Sequence, residues 1–263
     1  MRRIRRSGAA RLTAVAALAV ALPLGMASGC SGKASGGSGG TGPDGVRTGP
    51  GVTDAAIRLG VETDLTDSDM SAQVAALKSA GVKAILLSAG PKQSASLAGL
   101  ARAKGMTAPI VASNSGFSPQ LLQTAAAPAL LKDFYLAGAG APVSSGLAPI
   151  RKLADDYGRK YPGQPRDSAV VNGYTGAVIF ADALKKACAA KDLTREGLIT
   201  AHRSTTAHDG GYGTPMDFSK VDEPGTRRTY ILRTDAKALG GLVVERQPAE
   251  SEAAETYKVP AGA

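Results

Sequence analysis

The chain has 263 residues, a formal net charge of +9 and no tryptophan. Five of its 31 basic residues and none of its 22 acidic residues lie in residues 1–29, so the rest of the chain carries a net charge of only +4. A charge that small, without clustered lysine and arginine, argues against nucleic-acid binding. Aromatic residues are scarce, so the core must be built from Ala, Val, Leu and Ile.

Residues 1–29 have the pattern of a bacterial export signal. Five arginines precede an apolar stretch at residues 12–24. Its length of about 13 residues matches a signal-peptide core and falls short of the roughly 20 that span a bilayer. Ala27-Ser28-Gly29-Cys30 follows and resembles the lipobox of bacterial lipoproteins, in which cleavage exposes the cysteine for acylation, for instance with palmitate.

We therefore predict a lipoprotein signal peptide at residues 1–29 and a lipid on Cys30. The lipid would anchor the protein to the extracytoplasmic face of the cell membrane. An ordinary secretory signal is the alternative, and the paired arginines also leave a twin-arginine export route open. Residues 30–50 are rich in Gly and Ser and are predicted to be a flexible tether.

Residues 51–247 are predicted to form the folded domain, and residues 248–263 a polar, frayed tail. The first half alternates short apolar runs with amphipathic stretches, which predicts β-α-β units on a parallel sheet. Asp69 and the acidic residues before it offer N-cap groups to the first helix, and Gly81 and Gly105 are placed to end the first two helices. In this half we expect strands at 57–61, 84–87, 109–112 and 134–137, and helices at 70–80, 93–104 and 119–126.

The second half is predicted to be mainly helical before strands return. Apolar residues recur at helical spacing around residues 150–161 and again around 174–188. In the second of these helices Tyr174 and Cys188 belong to the stripe that we expect to face inward, with Cys188 as a buried small hydrophobe. A third helix is expected at 194–202, and strands at 215–218, 229–233 and 242–245.

Two polar loops are candidates for ligand contact. Parallel strands place their binding crevice beyond the carboxyl ends, where residues 88–93 and 113–118 follow the second and third strands. The candidate ligand-binding residues have side chains or backbones suited to hydrogen bonding, and they are Ser88, Gly90, Asn114, Ser115 and Gly116. Ordinary strand-to-helix turns have the same composition, and this alternative stays open.

The sequence contains no pattern that predicts catalysis. His202, His208 and Asp209 match no spacing of metal ligands and are interpreted as surface residues. A hydrolase using His202 and Asp209 is a minor alternative. No nucleophile, phosphate-binding or dinucleotide-binding motif is present. We therefore expect a protein that is not an enzyme and needs neither a metal nor another cofactor.

Several stretches in order resemble a known family. Residues 51–60, 69–91, 169–187 and 213–218 are similar to segments of periplasmic solute-binding proteins of the branched-chain amino acid ABC-transporter type, which have the type I periplasmic binding fold. Members close two lobes over an amino acid and deliver it to an ABC-type permease. In the family a large block follows the first strand, whereas here Val61 is followed almost directly by Asp64. The resemblance thus implies an α/β fold, a parallel sheet with flanking helices, that lacks most of the first lobe.

The resemblance also implies a function. The five candidate residues match second-lobe contacts by position, and Asn114 and Ser115 stand where many members have a carboxylate that pairs with the ligand amine. We expect a lipid-anchored, extracytoplasmic solute-binding protein whose partners are a small polar ligand, such as an amino acid, and an ABC permease, with binding impaired by the missing block. The alternative is a non-enzymatic interaction lipoprotein that retains the fold but binds no ligand.

Overall fold

The computed structural model describes Thr41, Gly45, Arg47–Thr48 and residues 69–258. The predictions for the signal peptide, Cys30, most of the tether and the strand at 57–61 lie outside the described residues. No helix in the described part is long and apolar enough to cross a membrane. The elements are β1 (Arg47–Thr48), α1 (Ser71–Ser79), β2 (Ile85–Leu87), α2 (Pro91–Ala103), β3 (Ile110–Ser113), α3 (Ala127–Leu130), β4 (Phe134–Gly138), α4 (Ala148–Lys160), α5 (Ser168–Ala189), β5 (Asp192–Leu193), α6 (Arg195–Arg203), β6 (Thr229–Thr234), β7 (Leu242–Ala249) and α7 (Glu252–Thr256).

A five-stranded sheet in the order β2-β3-β4-β6-β7 organises the molecule. Strands β2, β3 and β4 are parallel, whereas β6 and β7 form an antiparallel hairpin beside β4. The predicted α/β class and the parallel β-α-β units are confirmed, and the hairpin makes the sheet mixed. Gly81 and Gly105 follow α1 and α2 with positive φ angles of 61° and 74°, which only glycine adopts at little cost.

One face of the sheet carries the core. Alternate residues of the strands point to this face, and Ile110, Phe134 and Leu136 are at most 1% exposed. Val74 of α1 and Leu97 of α2 belong to the same buried cluster, so both helices lie over this face. Each such side chain contributes about 1.5–3 kcal/mol through burial.

The other face is much less covered. Leu86 in the middle of β2 is 84% exposed. It is in register with Val111 of β3, which is in register with Tyr135 of β4, and both of these are only half-buried. Tyr135 is in turn opposite Arg233 of β6. We call this row, from Leu86 to Arg233, the open face.

Helix α5 departs from its prediction. Its buried residues are Val171, Ala183 and Ala187, while Tyr174 is 45% exposed and Cys188 is a free, exposed thiol. The prediction that Tyr174 and Cys188 face inward is therefore wrong. The helix is apolar around most of its circumference, so periodicity does not identify the buried side.

Three other segments differ from their predictions. Residues 215–218 form no strand but only an isolated bridge between Met216 and His208, because Pro215 has no N–H and Asp217 accepts a hydrogen bond from Ser219 N that turns the chain. Residues 119–126 contain a 3-10 turn at Pro119–Gln123 instead of an α-helix. After Gln247 the chain completes β7 and forms α7, rather than a frayed tail.

Candidate functional site

The candidate site lies where β3 and β4 end. β3 runs into a 3-10 turn at Asn114–Gly116, and β4 ends at Gly138 beside it. The Asn114 side chain lies against Gly138 so closely that a Cβ on that glycine would be 2.9 Å from the Asn114 Cβ. Glycine at the end of β4 therefore makes room for the Asn114 side chain.

The turn, the end of β4, α5 and the loop after α6 line a half-open cavity of about 250 Å³. Its lining combines amide, hydroxyl, imidazole and phenol groups with a few apolar side chains. The lining residues are Asn114, Ala139, Gly140, Asn172, Thr175, Ile179, His208, Gly210, Tyr212, Gly213, Thr214 and Met216. None of them is an Asp, Glu, Lys or Arg, so hydrogen bonding governs the chemistry of this lining.

Two glycines allow the backbone to close the cavity. Gly140 and Gly213 form an antiparallel bridge, and Thr214 N donates to Ala139 O at 2.9 Å. A Cβ on Gly213 would be 2.4 Å from Ala139 O, and one on Gly140 would be 2.7 Å from Asn172 Oδ1. Gly213 therefore requires glycine because its Cβ would meet backbone atoms, whereas a Cβ on Gly140 would displace the end of the Asn172 side chain.

Two buried polar atoms in the lining have no hydrogen-bond partner within the described residues: Thr214 Oγ1 and His208 Nε2. Thr214 is only 5% exposed, and the His208 side chain only 11%. A buried polar group without a partner costs about 1–3 kcal/mol, and such groups in native proteins call for an explanation. A ligand in the cavity would provide one.

The position of His208 is fixed by its neighbours. Its backbone exchanges two hydrogen bonds with Met216, at 2.7 and 2.9 Å, and its Nδ1 lies 3.6 Å from the Asp182 carboxylate. The interpretation of His208 as a surface residue is therefore wrong. His202 is half-buried and stacks on Phe218 with ring centroids 4.3 Å apart.

Tyr212 supplies a phenol to the lining. Burial, with the nearby Tyr174 as a further cause, raises the pKa of Tyr212 above its ordinary value. The two rings meet edge to face with centroids 5.3 Å apart. The phenol is thus protonated at neutral pH and able to donate a hydrogen bond.

The structure brings one of the five predicted ligand-binding residues, Asn114, into this cavity. Ser88 is exposed just beyond β2. Gly90 is the N-cap of α2, and its carbonyl accepts hydrogen bonds from the backbone N and the Oγ of Ser94. Ser88 and Gly90 lie at the predicted carboxyl edge of the sheet but outside the cavity lining.

The other two predicted residues lie in the same turn as Asn114. Ser115 is exposed, with its Oγ 3.0 Å from Ser113 Oγ. Gly116 is buried, and an added Cβ would be 2.7 Å from the Ala112 Cβ. The Gly116 position therefore serves the packing of the turn, and neither residue lines the cavity.

Sequence reasoning missed five polar residues of the lining: Asn172 and Thr175 on α5, and His208, Tyr212 and Thr214 in the loop after α6. The only available signal was the glycine-rich run from residue 210 to 213, which indicates close backbone approach. Among residues 69–258 and the few described before them, no group of three or more His, Cys, Asp or Glu side chains could hold a metal ion.

Comparisons with known proteins agree with this architecture. The chain is 60% identical to the fatty acid ABC transporter substrate-binding protein from Thermomonospora curvata, with a TM-score of 0.70, over 74% of this chain and 50% of that one. It is 23% identical to a branched chain amino acid ABC transporter from Thermus thermophilus with bound valine. The TM-score is 0.58, and the match covers 72% of this chain and 51% of that one. The chain thus spans about half the length of these structures.

A comparison with curated proteins returns no match. The family model described as periplasmic binding protein matches residues 45–238. This range contains the whole cavity lining and all of the sheet except β7. The chain therefore belongs to the periplasmic binding protein family.

Proposed function

We propose that this chain is a lipid-anchored, extracytoplasmic solute-binding protein that works with an ABC permease, and that its ligand is a small monocarboxylate. The observation that carries the proposal is the pair of buried, unpartnered atoms in the cavity, Thr214 Oγ1 and His208 Nε2. A carboxylate accepts several hydrogen bonds at once, so it can accept from the Thr214 hydroxyl, and from His208 Nε2 when that nitrogen carries a proton.

The lining favours an acid over an amine. Asn114, Asn172 and Tyr212 carry groups that donate hydrogen bonds, whereas the Thr175 hydroxyl already donates to Val171 O at 2.8 Å. A ligand ammonium would need a carboxylate to compensate its lost hydration, and none of the described residues that line the cavity is an Asp or Glu. The named ligands of the similar structures, a fatty acid and valine, share a carboxylate.

The size of the cavity favours a short ligand. About 250 Å³ is below the roughly 300–1,000 Å³ usual for pockets that hold drug-sized molecules. Ile179 and Met216 provide an apolar wall for a short hydrocarbon part. We therefore expect short-chain acids to bind better than long-chain acids, and better than amino acids of the same length.

Calorimetry on the full chain in detergent tests the proposal. The panel consists of butyrate, hexanoate, decanoate, valine and the corresponding amines. In Thr214→Val we expect affinity for the preferred acid to fall about tenfold to a hundredfold, because a hydrogen bond to a charged group contributes about 1.5–3 kcal/mol. Thr256→Val is the matched control, since its hydroxyl bonds only Glu252 O within α7.

Two results would contradict the proposal. Binding of the amines but not the acids would reverse the assigned ligand chemistry. If the folded protein bound none of the compounds in the panel, the result would instead support an interaction lipoprotein without a ligand.

A further inference from the structure

We propose that the cavity binds its carboxylate ligand together with one proton, which is taken up at His208. The inference rests on the carboxylate ligand proposed above, and it adds the condition under which that ligand binds. It is carried by the surroundings of the two ring nitrogens of His208, which differ in the chemistry that they meet.

The two nitrogens of the imidazole have different neighbours. Nδ1 lies 3.6 Å from a carboxylate oxygen of Asp182 on α5. Nε2 is buried in the cavity lining and has no hydrogen-bond partner among the described residues. The side chain of His208 is only 11% exposed, so solvent water reaches little of the ring.

Asp182 decides which nitrogen carries the proton in the neutral ring. A neutral imidazole has one N–H, and the partner of one nitrogen fixes the tautomer. The carboxylate of Asp182 favours the proton on Nδ1, because an unprotonated Nδ1 would turn a lone pair toward a negative charge. Nε2 then presents a lone pair to the cavity and can only accept a hydrogen bond.

A ligand carboxylate cannot bind to that lone pair. Both groups would be acceptors, so the contact becomes favourable only when a further proton is bound between Nε2 and a ligand oxygen. The imidazolium of His208 then lies between two carboxylates, that of Asp182 and that of the ligand. Hydrogen bonds between charged groups are the stronger kind. Whichever of the two atoms holds the proton, the complex contains one more proton than the separate partners.

The lysines of α5 do not replace this proton. Lys185 pairs with Asp182 at 3.5 Å, but its side chain is 78% exposed, so solvent screens its charge. Lys186 donates to the hydroxyl of Thr205. Neither lysine belongs to the cavity lining.

The ionisable groups of the loop after α6 leave the same conclusion. Tyr212 is already protonated, because burial raises its pKa. Asp209 is exposed and accepts from a backbone N–H of its own loop. His202 stacks on Phe218, whose ring centroid is 6.4 Å from that of His208. Histidine changes its charge between about pH 5 and 8, so His208 is the group of this lining that takes up the proton.

Calorimetry on the full chain in detergent tests the proposal. Butyrate, hexanoate and decanoate are titrated at about pH 6, 7 and 8, in phosphate and in Tris, two buffers whose heats of protonation differ. At about pH 8 the binding heats in the two buffers should differ by the amount that corresponds to uptake of about one proton. The affinity should fall by up to about tenfold for each unit of rising pH, since each bound ligand requires a proton.

Three variants assign the proton to its residue. His208→Gln should bind the acid with equal heats in both buffers and without pH dependence, because an amide donates without titrating. Asp182→Asn should reduce the proton uptake, because an amide can donate to Nδ1 and let the neutral ring carry its proton on Nε2. His202→Gln is the matched control and should behave like the parent chain, since it removes the other histidine and leaves the lining unchanged.

A neutral analogue separates this inference from the ligand assignment. The amide of the same acid carries N–H donors and no charge, so it can bind the lone pair on Nε2 without a proton, and its affinity should not fall as pH rises. Acid binding with equal heats in both buffers and equal affinity at all pH values would overturn the proton uptake but leave the carboxylate ligand in place. If no acid bound at any pH, both proposals would be wrong.

Discussion

Several single residues shape the candidate site because they allow a backbone to approach its neighbours closely. Gly138 is one case, because the side chain of Asn114 fills the space that a methyl group would take. The same contact holds the amide of Asn114 at the cavity. A change at Gly138 therefore acts on the site without removing any group that could touch a ligand.

Gly138→Ala is expected to weaken binding of the preferred acid. The added Cβ would lie 2.9 Å from the Asn114 Cβ, so the turn must shift and carry the amide away. Asn114→Ala should lower the affinity by a similar factor, about tenfold, as expected for one hydrogen bond to a charged group. Calorimetry measures both. Gly173→Ala, on an open part of α5 with nothing within 4 Å of the added Cβ, should bind normally; reduced binding there would undermine the comparison.

The half-buried His202 makes stability depend on pH. Burial first, and then the positive charges of Arg203 and Lys186, lower the pKa of His202 below its ordinary value of 6.5. The unfolded chain therefore binds more protons than the folded chain as pH falls through that value, so the free energy of unfolding decreases. Urea unfolding at about pH 7.5 and 5.5 should show this loss, and His202→Gln should reduce it. An unchanged difference in the variant would exclude His202 as the cause.

At the scale of elements, helix capping decides how α5 begins. Asp167 accepts hydrogen bonds from Ala169 N at 3.0 Å and Val170 N at 3.4 Å. These are N–H groups that no residue of the helix itself can satisfy. The cap thus fixes the start of the helix that carries Asn172 and Thr175 to the cavity.

Asp167→Ala is expected to lower the free energy of unfolding by about 1 kcal/mol, the usual loss for an N-cap. Asp167→Asn retains a capping oxygen and should cost much less. Chemical denaturation of both variants tests this, and an equal loss in the two would mean that the negative charge, rather than the hydrogen bonds, stabilises the helix.

Elements with their own periodicity were predictable from sequence, and elements that depend on distant partners were not. α1, α2 and the strands from β2 to β4 have apolar patterns and glycine stops that specify them locally. The strand predicted at 215–218 is absent because Met216 pairs only in an isolated bridge with His208, across a loop of the described chain. The prediction of the buried side of α5 was wrong because apolar residues lie around most of the circumference of the helix.

The site was predictable to the same extent. Asn114 follows a parallel strand, and the rule for strand ends finds it. His208 and Thr214 enter the cavity only because Gly140 and Gly213 allow two distant backbones to pair. That pairing leaves no periodic trace in the sequence.

At the scale of the whole molecule, the described residues form a five-stranded mixed sheet, while the chain spans about half the length of its structural relatives. The carboxyl edge of the parallel strands remains available to a ligand. The predicted signal peptide and lipid anchor lie outside the described part.

Cys30→Ser tests the predicted anchor. Without the thiol no lipid can be attached, so we expect the protein to appear in the medium or to accumulate with its signal peptide uncleaved. Fractionation of cells and mass measurement of the product distinguish these forms. Protein that is processed and still sediments with membranes would show that the anchor lies elsewhere.

The chemistry of the cavity lining determines how ligand binding responds to dissolved salt. Its polar groups include no Asp, Glu, Lys or Arg, and dissolved ions weaken long-range attraction between charges far more than short contacts in a buried site. Capture of a solute through amide, hydroxyl and phenol contacts should therefore change little with ionic strength.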